Sequence, residues 1–513
     1  MNVLSHKLDK AVRDKKFKFH PRCKSISLTH LCFADDLMVF IEGTKESIEG
    51  ALSVFDGFAK CSGLSISIEK STIYMAGVSR DERSRVLKDF PFAEGALPVR
   101  YLGLPLMTKV MNKQDYLPLL ERIRCKINSW TCRFLSYAGR LQLIKVVLMS
   151  IVNFWAAVFR LPSKCMKDVE CLCASFLWSG PVLKSAGAKV AWKDIRTMES
   201  EGGLEIRVLK EVNMVYGLKL IWRLLSGDSL WGKWIKSYLL KKKCFLEVKL
   251  NTQAGSWMWR KMLKLRDVAK TLCKKEVGNG RHVSFWFDNW SAKGVLFDTL
   301  GEHGIIAMGI RRDATVEEAV MSRRRRRRHR TEALNEVEAV MTEVKEKMRQ
   351  NIMDVTLWRM KTGFKSTFSS YETWLLVRES HAQCSWARGV WFSMATPKFA
   401  FMTWLAMLDR LSTLDRVSKW FQVAQISGST LSKMGSFCVR YAFQAAIYAL
   451  WREQNRIKHR GKSMVIYVLK KLVDKGVRNK LSLMRGKKGR SMDGALQFWF
   501  GTRVYWSRLR VEV

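Results

Sequence analysis

Apolar and polar positions at the start of the chain predict a helix followed by a β-hairpin. Residues 1–16 carry apolar side chains at helical spacing. Two short apolar runs follow, 28–33 and 37–41, on either side of Ala34-Asp35-Asp36. Short apolar runs around such a turn are typical of paired strands. The two adjacent aspartates are therefore expected at the turn of a hairpin.

The next elements are marked by caps and by a change of period. Thr44 is expected to cap a helix that ends at Gly63, because threonine favours the first position and glycine the last. Alternating apolar residues then predict a strand over 64–68, and a further strand is expected over 99–106. The first hundred residues thus indicate mixed helix and strand.

After residue 112 the apolar spacing becomes helical, with further helices expected at 139–159 and 166–178. The most apolar window, 146–159, is shorter than a bilayer span and contains Ser150 and Asn153. It is interpreted as a buried helix, and no membrane contact is expected. The fold class predicted for the whole chain is α+β at the start and mostly α afterwards.

Tryptophan is abundant, with 20 residues in 513. Such side chains either stack on nucleic-acid bases or anchor a core, and the core interpretation is favoured. Eight of them lie in the middle of the chain: Trp192, Trp222, Trp231, Trp234, Trp257, Trp259, Trp286 and Trp290.

Net charge says more about the partners of this chain than its apolar content does. The chain has 90 Lys and Arg against 46 Asp and Glu, a formal net charge of +44. Basic residues occur in all regions, and a polyanion would relieve their mutual repulsion. RNA and DNA are therefore the expected partners, although a merely basic or unselected sequence would look the same. The arginine run at 323–328 is open to two interpretations, an import or RNA-binding patch and an unselected solvated stretch.

The twelve cysteines form no Cys-x-x-Cys pair and no disulfide pattern, and the first residues are polar and charged rather than leader-like. A reducing, intracellular location is expected, and the nucleus if the chain is expressed. At this length, two to four domains are expected.

Asp35 and Asp36 are the leading candidates for chemistry. Adjacent carboxylates in a tight turn repel each other, and a divalent cation would relieve that repulsion. Mg²⁺ is often held by one or two carboxylates together with substrate phosphates. In nucleotidyl transfer, two such ions serve the attacking hydroxyl and the leaving group. Ordinary turn chemistry also explains two aspartates in a turn, and on this pair alone that explanation is the stronger.

The surrounding residues change that balance. His30-Leu31-Cys32-Phe33-Ala34-Asp35-Asp36-Leu37 resembles the active-site hairpin of LINE-type (non-LTR retrotransposon) reverse transcriptases of plants. The resemblance implies that Asp35 is a Mg²⁺ ligand with Asp36 beside it. Gly63-Leu64 and Glu69-Lys70-Ser71 resemble the next family motif, which implies a position for Lys70 near the incoming nucleotide. Tyr101, Leu102, Gly103, Leu104 and Pro105 resemble the motif that supports the primer end.

Further motifs follow in the family's order. Residues 130 and 135–140 are similar to the start of the family's thumb. Segments around Trp178, Gly202-Gly203-Leu204 and Asn213 resemble the region after it. Gly278-Asn279-Gly280 and the run 284–290 are typical of plant LINE polyproteins. The resemblance implies a partial palm, then a mostly α-helical thumb and C-terminal region.

A stretch between Trp391 and Trp420 resembles the family's zinc-binding region, where a Cys-x-x-Cys pair and a later His and Cys normally follow. Residues 421–437 contain neither Cys nor His, and Cys438 and His459 stand apart. Four thiolate or imidazole ligands are usual at a structural zinc site. We therefore expect no zinc here and interpret the stretch as a remnant.

In the family, fingers and a first palm aspartate precede the hairpin, whereas here only about thirty residues do. The expectation is an N-terminally truncated reverse transcriptase with half of its two-metal site, inactive unless an upstream fragment completes it. The alternative is a catalytically dead remnant that binds RNA or DNA non-specifically. The expected division is 1–108 (C-terminal part of the palm), 109–180 (thumb-like helical domain), 181–320 (Trp-rich post-thumb region), 321–353 (basic linker), 354–421 (remnant of the zinc-binding region) and 422–513 (basic helical tail).

Overall fold

The computed structural model describes the chain except residues 1, 108, 131–134, 184–186, 228, 242, 249–254, 323–327, 412–431, 460, 485–493 and 509–513. Most of the arginine run and the end of the stretch that resembles the zinc-binding region lie outside the described residues. The described part is mixed, largely helical with small sheets, which is compatible with the predicted α+β class.

Helices account for most of the described chain. They are α1 (Asn2–Arg13), α2 (Lys45–Ser62), α3 (Arg80–Asp89), α4 (Lys113–Ser129), α5 (Tyr137–Leu143), α6 (Met149–Val158), α7 (Ser163–Ser179), α8 (Trp192–Ile195), α9 (Leu209–Ser226), α10 (Leu230–Ile235), α11 (Trp257–Leu263), α12 (Arg266–Leu272), α13 (Leu296–Met308), α14 (Val316–Met321), α15 (Glu332–Lys347), α16 (Ser370–Val377), α17 (Ala387–Val390), α18 (Pro397–Met407), α19 (Lys433–Lys458), α20 (Ile466–Met484) and α21 (Ala495–Arg508). Single π-helical segments, Ile144–Leu148 and Lys236–Leu240, follow α5 and α10.

Strands are short and form two- or three-stranded sheets. They are β1 (His30–Phe33), β2 (Asp36–Val39), β3 (Thr72–Ile73), β4 (Ala93–Glu94), β5 (Val99–Tyr101), β6 (Leu104–Leu106), β7 (Cys273–Glu276), β8 (Asn289–Ser291), β9 (Gly294–Val295), β10 (Val355–Met360) and β11 (Gly363–Lys365). The pairs β1–β2, β5–β6 and β8–β9 are antiparallel, β3–β4 is parallel, and β10 lies between β11 and β7.

The first of two compact units comprises Met1–Asp115, Ala156–Leu161 and Asn213–Val377. Its larger core is rich in aromatic residues, with Trp286 and Trp358 fully buried. Of the eight mid-chain tryptophans, Trp222, Trp259, Trp286 and Trp290 are buried, which confirms the core interpretation for these four. Trp231 is 37% exposed, so that interpretation does not extend to it.

The second unit comprises Tyr116–Trp155, Pro162–Val212 and Arg378–Val513. Within it, α18 packs against α5 and α19, and α19 packs against α20 and α21. The helices predicted around 139–159 and 166–178 are present, as α5 to α6 and as α7.

One helical stretch in the described residues, Tyr137–Val158, is long and apolar enough to cross a membrane, with a mean hydropathy of 1.8 in its most apolar window. A third of that window (33%) is buried in the protein. Core helices of soluble proteins meet the same criterion, so this stretch alone assigns no membrane.

The residues that begin and end helix α2 were predicted correctly. The Thr44 hydroxyl accepts a hydrogen bond from the Ser47 amide, and Gly63 ends α2 with a φ of +72°. Helix α1 buries Leu4 and Leu8 as expected, although Val3 is 60% exposed.

Two strand predictions were wrong. Residues 64–68 form no strand, and Leu64 and Ile68 are 63% and 43% exposed. The alternating apolar pattern predicts a strand but does not provide a neighbouring strand for it to pair with. Residues 99–106 form the hairpin β5–β6 rather than one strand. The reversal occurs at Leu102 and Gly103, whose φ angles are +50° and +78°. Glycine adopts this backbone region freely, whereas leucine does so only under strain.

The segment predicted as a basic linker, 321–353, contains α15. This helix buries Leu334, Val337 and Met341 in the core of the first unit. All of the predicted domain boundaries stay predictions.

Candidate functional site

Asp35 and Asp36 lie at the tip of the hairpin β1–β2. Phe33 pairs with Asp36, so Ala34 and Asp35 form the two-residue turn, and Ala34 has a φ of +51°. Both aspartates are exposed, and Phe33 beside them is 61% exposed. The structure thus presents two neighbouring carboxylates and an aromatic ring at one projecting tip, as the sequence predicted for the aspartates.

A hydrogen-bonded chain of polar side chains fixes the base of this hairpin to α1. The Thr29 hydroxyl donates to Oδ1 of Asp9 at 2.6 Å and lies 2.7 Å from Nδ1 of His30. Nε2 of His30 lies 2.8 Å from the Ser5 hydroxyl. Both ring nitrogens are therefore engaged, and the His30 side chain is only 12% exposed. Sequence patterns gave no sign of this network, because Ser5 and Asp9 belong to a different element.

The hairpin also has an apolar attachment. Leu37 and Ile41 pack against a core formed by α1, α2 and Phe17. The members of that core are Leu4, Leu8, Ala11, Phe17, Ala51, Val54 and Phe58. The base of the hairpin is thereby held on two helices while the tip projects into solvent.

Lys70 occupies an exposed 3₁₀ turn, Ile68–Lys70, after α2. No ion pair in the described part of the chain joins Lys70 to Asp35 or Asp36. The structure therefore brings the two aspartates together and leaves the predicted role of Lys70 as a prediction.

The Tyr101–Pro105 motif forms most of the hairpin β5–β6. Leu104 and Pro105 are buried, Tyr101 is half-buried, and Leu102 at the turn is 41% exposed. The motif is thus a tight hairpin with two buried residues, and its role at the primer end stays a prediction.

The donor set at Asp35 and Asp36 fits part of a magnesium site. Among the described residues, no group of three or more His, Cys, Asp and Glu side chains could hold a metal ion. Two exposed carboxylates are nevertheless the protein share that Mg²⁺ often takes when substrate phosphates and water complete its shell. Asp35 and Asp36 can therefore hold such an ion only together with groups from outside the described residues.

For zinc, the two isolated candidates lie in unsuitable surroundings. Cys438 is fully buried in an apolar core, and burial raises the pKa of its thiol to about 11. Zinc binds the thiolate rather than the thiol. His459 is exposed at the end of α19. The absence of zinc stays a prediction, because residues 412–431 are outside the described part.

The Gly278-Asn279-Gly280 motif has a structural role, because its backbone amides bind a distant carboxylate. The Asp354 carboxylate accepts hydrogen bonds from the amides of Gly278 (2.9 Å), Gly280 (2.8 Å) and His282 (3.0 Å). A Cβ at Gly278 would lie 2.5 Å from the Ile352 carbonyl oxygen, which explains the glycine there. Asp354 was not predicted, since it lies more than seventy residues away from its partners.

The run 284–290 builds the core rather than a reactive site. Trp286 is fully buried, and its indole N–H donates to a backbone carbonyl. The buried Asp288 carboxylate accepts from the Ser284 amide (2.8 Å) and from the Cys244 thiol (3.5 Å). Burial raises the pKa of Asp288 by more than nearby Lys275 and the Ser284 amide lower it.

Within the second unit, Glu201 and Gly202 contact Arg378 and Trp404 of the C-terminal region. Glu201 forms an ion pair with Arg378, and the two side chains are 6% and 8% exposed. Burial alone would raise the pKa of Glu201, but the hydrogen bonds from Arg378 and the Met198 amide outweigh it and lower that pKa. The indole N–H of Trp404 donates to the Gly202 carbonyl at 2.7 Å.

Comparison with known proteins gives two family matches. Residues 1–106 match the family described as reverse transcriptase (RNA-dependent DNA polymerase), and this match contains both candidate hairpins. Residues 368–428 match the family described as zinc-binding in reverse transcriptase.

A curated relative gives a third finding. It is a protein of Arabidopsis thaliana named putative ribonuclease H protein, 31% identical over 195 residues. The aligned part covers 36% of this chain and 31% of the relative, so the chain spans about a third of the relative's length. The two family matches indicate a reverse transcriptase, and the plant relative fits a retroelement.

Proposed function

We propose that this chain is a fragment of a LINE-type RNA-directed DNA polymerase and that it contributes the palm hairpin of the polymerase site. The observation that carries the proposal is the tip of β1–β2, where Asp35 and Asp36 project side by side from a base fixed by α1 and α2. This hairpin lies inside the part of the chain that matches the reverse transcriptase family.

Each site residue has a proposed role. Asp35 and Asp36 hold Mg²⁺, Lys70 lies near the nucleotide phosphates, and the Tyr101–Pro105 hairpin supports the primer end. When bound, two such ions activate the primer hydroxyl and stabilise the leaving pyrophosphate. The protein's own contribution is to position the two carboxylates on a hairpin whose base is held by α1 and α2, because positioning is a large part of such catalysis.

The described residues supply only two carboxylates at this tip. We therefore propose that the site needs a further ligand from another palm segment, and that the chain alone does not polymerise. RNA and DNA are the proposed substrates, with the nucleus as the location where both meet.

Primer extension with Mg²⁺, all four dNTPs and an RNA template tests this function. The chain is assayed alone and mixed with a polypeptide carrying the fingers and first palm aspartate of a plant LINE-type element. We expect no extension from either component alone and extension from the mixture. Asp35→Ala should reduce that extension by at least about a hundredfold, since a metal ligand contributes several kcal/mol to the transition state.

Asp56→Ala is the matched control, because Asp56 is an exposed carboxylate on α2. Extension by the mixture should be the same with this variant as with the unchanged chain. Extension that survives both Asp35→Ala and Asp36→Ala would show that the hairpin is not the metal-holding element.

A second candidate function is non-specific binding of RNA or DNA without catalysis. The net charge of +44 and the two-carboxylate tip favour it together. The same experiment distinguishes the two functions. A chain that only binds would retain RNA in a mobility-shift assay but would support no primer extension in any mixture.

A further inference from the structure

The three-stranded sheet of the first unit, β11–β10–β7, has one buried and one more exposed face. Trp358 and Met360 of β10 and Cys273 of β7 are buried on the first face. Successive side chains of a strand point to opposite faces, so the residues between them lie on the other face. The residues of this second face are Val355, Leu357 and Arg359 of β10, Lys274 and Glu276 of β7, and Phe364 of β11.

Phe364 presents an aromatic ring on this second face. It is 39% exposed, and the strand register places it directly opposite Arg359. The Lys274 ammonium lies 5.8 Å from the centre of the Phe364 ring. A cation beside an exposed ring is held more weakly than a stacked base, so Lys274 can turn to a phosphate when a base stacks on the ring.

Four basic side chains lie on this face or at its border. Lys274 and Arg359 share the face with Phe364, and Lys361 and Lys365 are exposed at the turn and on β11. No ion pair joins any of these four to an acid within the part of the chain that the structure describes. Their charges therefore remain available to an anionic ligand.

Two acids of these elements do not cancel that charge. Glu276 lies opposite Val355, at the end of the face away from Phe364. The Glu372 carboxylate accepts a hydrogen bond from the Lys361 amide at 3.0 Å. The surface around the Phe364 ring is therefore positively charged.

An exposed ring beside unpaired cations suits single-stranded nucleic acid. Every base can stack on an aromatic ring, and the phosphates next to that base can meet the basic side chains. A duplex keeps its bases stacked on one another, so it would use the cations of this face but not the ring. Strand faces that carry aromatic residues are a known means of binding unpaired bases.

We propose that the exposed face of β7, β10 and β11 binds a single strand of RNA or DNA, with one base stacked on Phe364 and phosphates at Lys274 and Arg359. The proposal rests on the nucleic-acid binding in the proposed function, but it does not depend on catalysis at Asp35. These strands lie between the two segments that match known families.

Photochemical cross-linking tests the position of the base directly. The full-length chain is mixed with a labelled RNA of about twelve nucleotides that carries 5-iodouridine, a base that cross-links to aromatic rings stacked on it. After irradiation, mass spectrometry of the peptides should find a cross-link at Phe364. Phe364→Leu keeps an apolar side chain but removes the stack, so it should abolish this cross-link. It should also weaken RNA binding about fivefold or more in fluorescence anisotropy.

Phe154→Leu is the matched control. Phe154 is 47% exposed, but it lies on α6, a helix without lysine or arginine. This variant should leave both the Phe364 cross-link and the affinity unchanged. Arg359→Gln should make the dependence of binding on KCl shallower by about 0.7, the share of one phosphate on a single strand.

Cross-links that do not include Phe364, or an unchanged affinity in Phe364→Leu, would overturn the proposal. Weaker self-association of Phe364→Leu in sedimentation, with RNA binding unchanged, would make this face a contact between copies of the chain instead.

The outcomes also separate this site from the polymerase function. Asp35-dependent primer extension without a cross-link at Phe364 would contradict this site alone. A cross-link at Phe364 in a mixture that never extends the primer would support this site and contradict the polymerase function. Absence of any RNA binding would contradict both.

Discussion

At the scale of single residues, the Asp288 carboxyl shows how a motif residue can be structural. The pKa of the Asp288 carboxyl is raised in the folded protein. Its contribution to stability is therefore fully present below the pKa of an unfolded aspartate, near pH 4, and is lost as the pH rises through the folded pKa. Asp288→Asn cannot ionise and can still accept from the Ser284 amide. We expect the variant to gain stability relative to the unchanged chain between pH 4 and pH 7, measured as the difference in urea midpoint.

Asp56→Asn, on the exposed surface of α2, controls for the general effect of removing one negative charge. Its stability difference from the unchanged chain should vary little over the same pH interval. A pH-independent effect of Asp288→Asn would show that the folded carboxyl is not held in its protonated form.

The Glu201–Arg378 ion pair gives the opposite dependence on pH. Arg378→Met leaves the Glu201 carboxylate buried without its partner, and breaking such a pair costs about 3–5 kcal/mol. The folded pKa of Glu201 is lowered, so the pair's contribution is present above the unfolded pKa and is lost as pH falls through the folded one. Urea unfolding should therefore show a larger deficit at pH 7 than near pH 3.

A second substitution isolates the pair itself. Glu201→Gln combined with Arg378→Met removes the stranded charge and should recover part of the lost stability at pH 7. A double variant as unstable as Arg378→Met would mean that Arg378 acts through its other contacts rather than through Glu201.

At the scale of elements, the features that depend only on neighbouring residues were predicted correctly. The Thr44 cap, the Gly63 stop and the turn at Asp35 depend only on neighbouring residues, and all three are present. The strand over 64–68 needed a partner strand that alternation cannot reveal. The anchoring of Gly278 by Asp354 is likewise invisible in sequence, because the two residues lie 76 positions apart.

The same reasoning explains the candidate site. The tip carboxylates were predictable from a turn motif, whereas the polar chain that holds the hairpin base was not. His30 contacts α1 through Ser5, and the pairing of two elements is set by tertiary packing rather than by the motif that contains His30. Sequence thus identifies the groups that can react, and the structure shows what holds them.

His30→Ala tests whether this network stabilises the hairpin. It removes both ring hydrogen bonds and leaves the buried Thr29 with one fewer partner. Loss of about 1–2 kcal/mol should accelerate amide hydrogen exchange across β1 and β2 by about tenfold. Hydrogen exchange measured by mass spectrometry on peptides covering 30–39 gives the rate.

Ser53→Ala is the comparison variant. The Ser53 hydroxyl donates to the Gly50 carbonyl of its own helix α2, so its loss should leave the hairpin rates unchanged. Equal protection of the hairpin in His30→Ala and in the unchanged chain would show that Leu37 and Ile41 alone hold the base.

At the scale of the whole molecule, charge sets the interaction with nucleic acid. The net charge of +44 is spread along the chain, and the two acids of α19 and α20 are engaged internally. Glu453 accepts from Arg456, and Asp474 accepts from Arg478 and from Trp499. Basic residues of these helices other than Arg456 and Arg478 can therefore meet phosphates, and binding should release counterions.

This predicts a steep dependence of RNA binding on salt. With six or more phosphates neutralised, the logarithm of the binding constant should fall with the logarithm of KCl concentration at a slope of about −4 or steeper. A peptide nucleic acid of the same base sequence has no phosphates, so its binding should be weak and nearly independent of salt. Fluorescence anisotropy from 50 to 400 mM KCl gives both slopes. A slope shallower than about −1 for RNA would mean that no more than one or two phosphates are contacted. The excess of basic residues would then have a cause other than nucleic-acid binding.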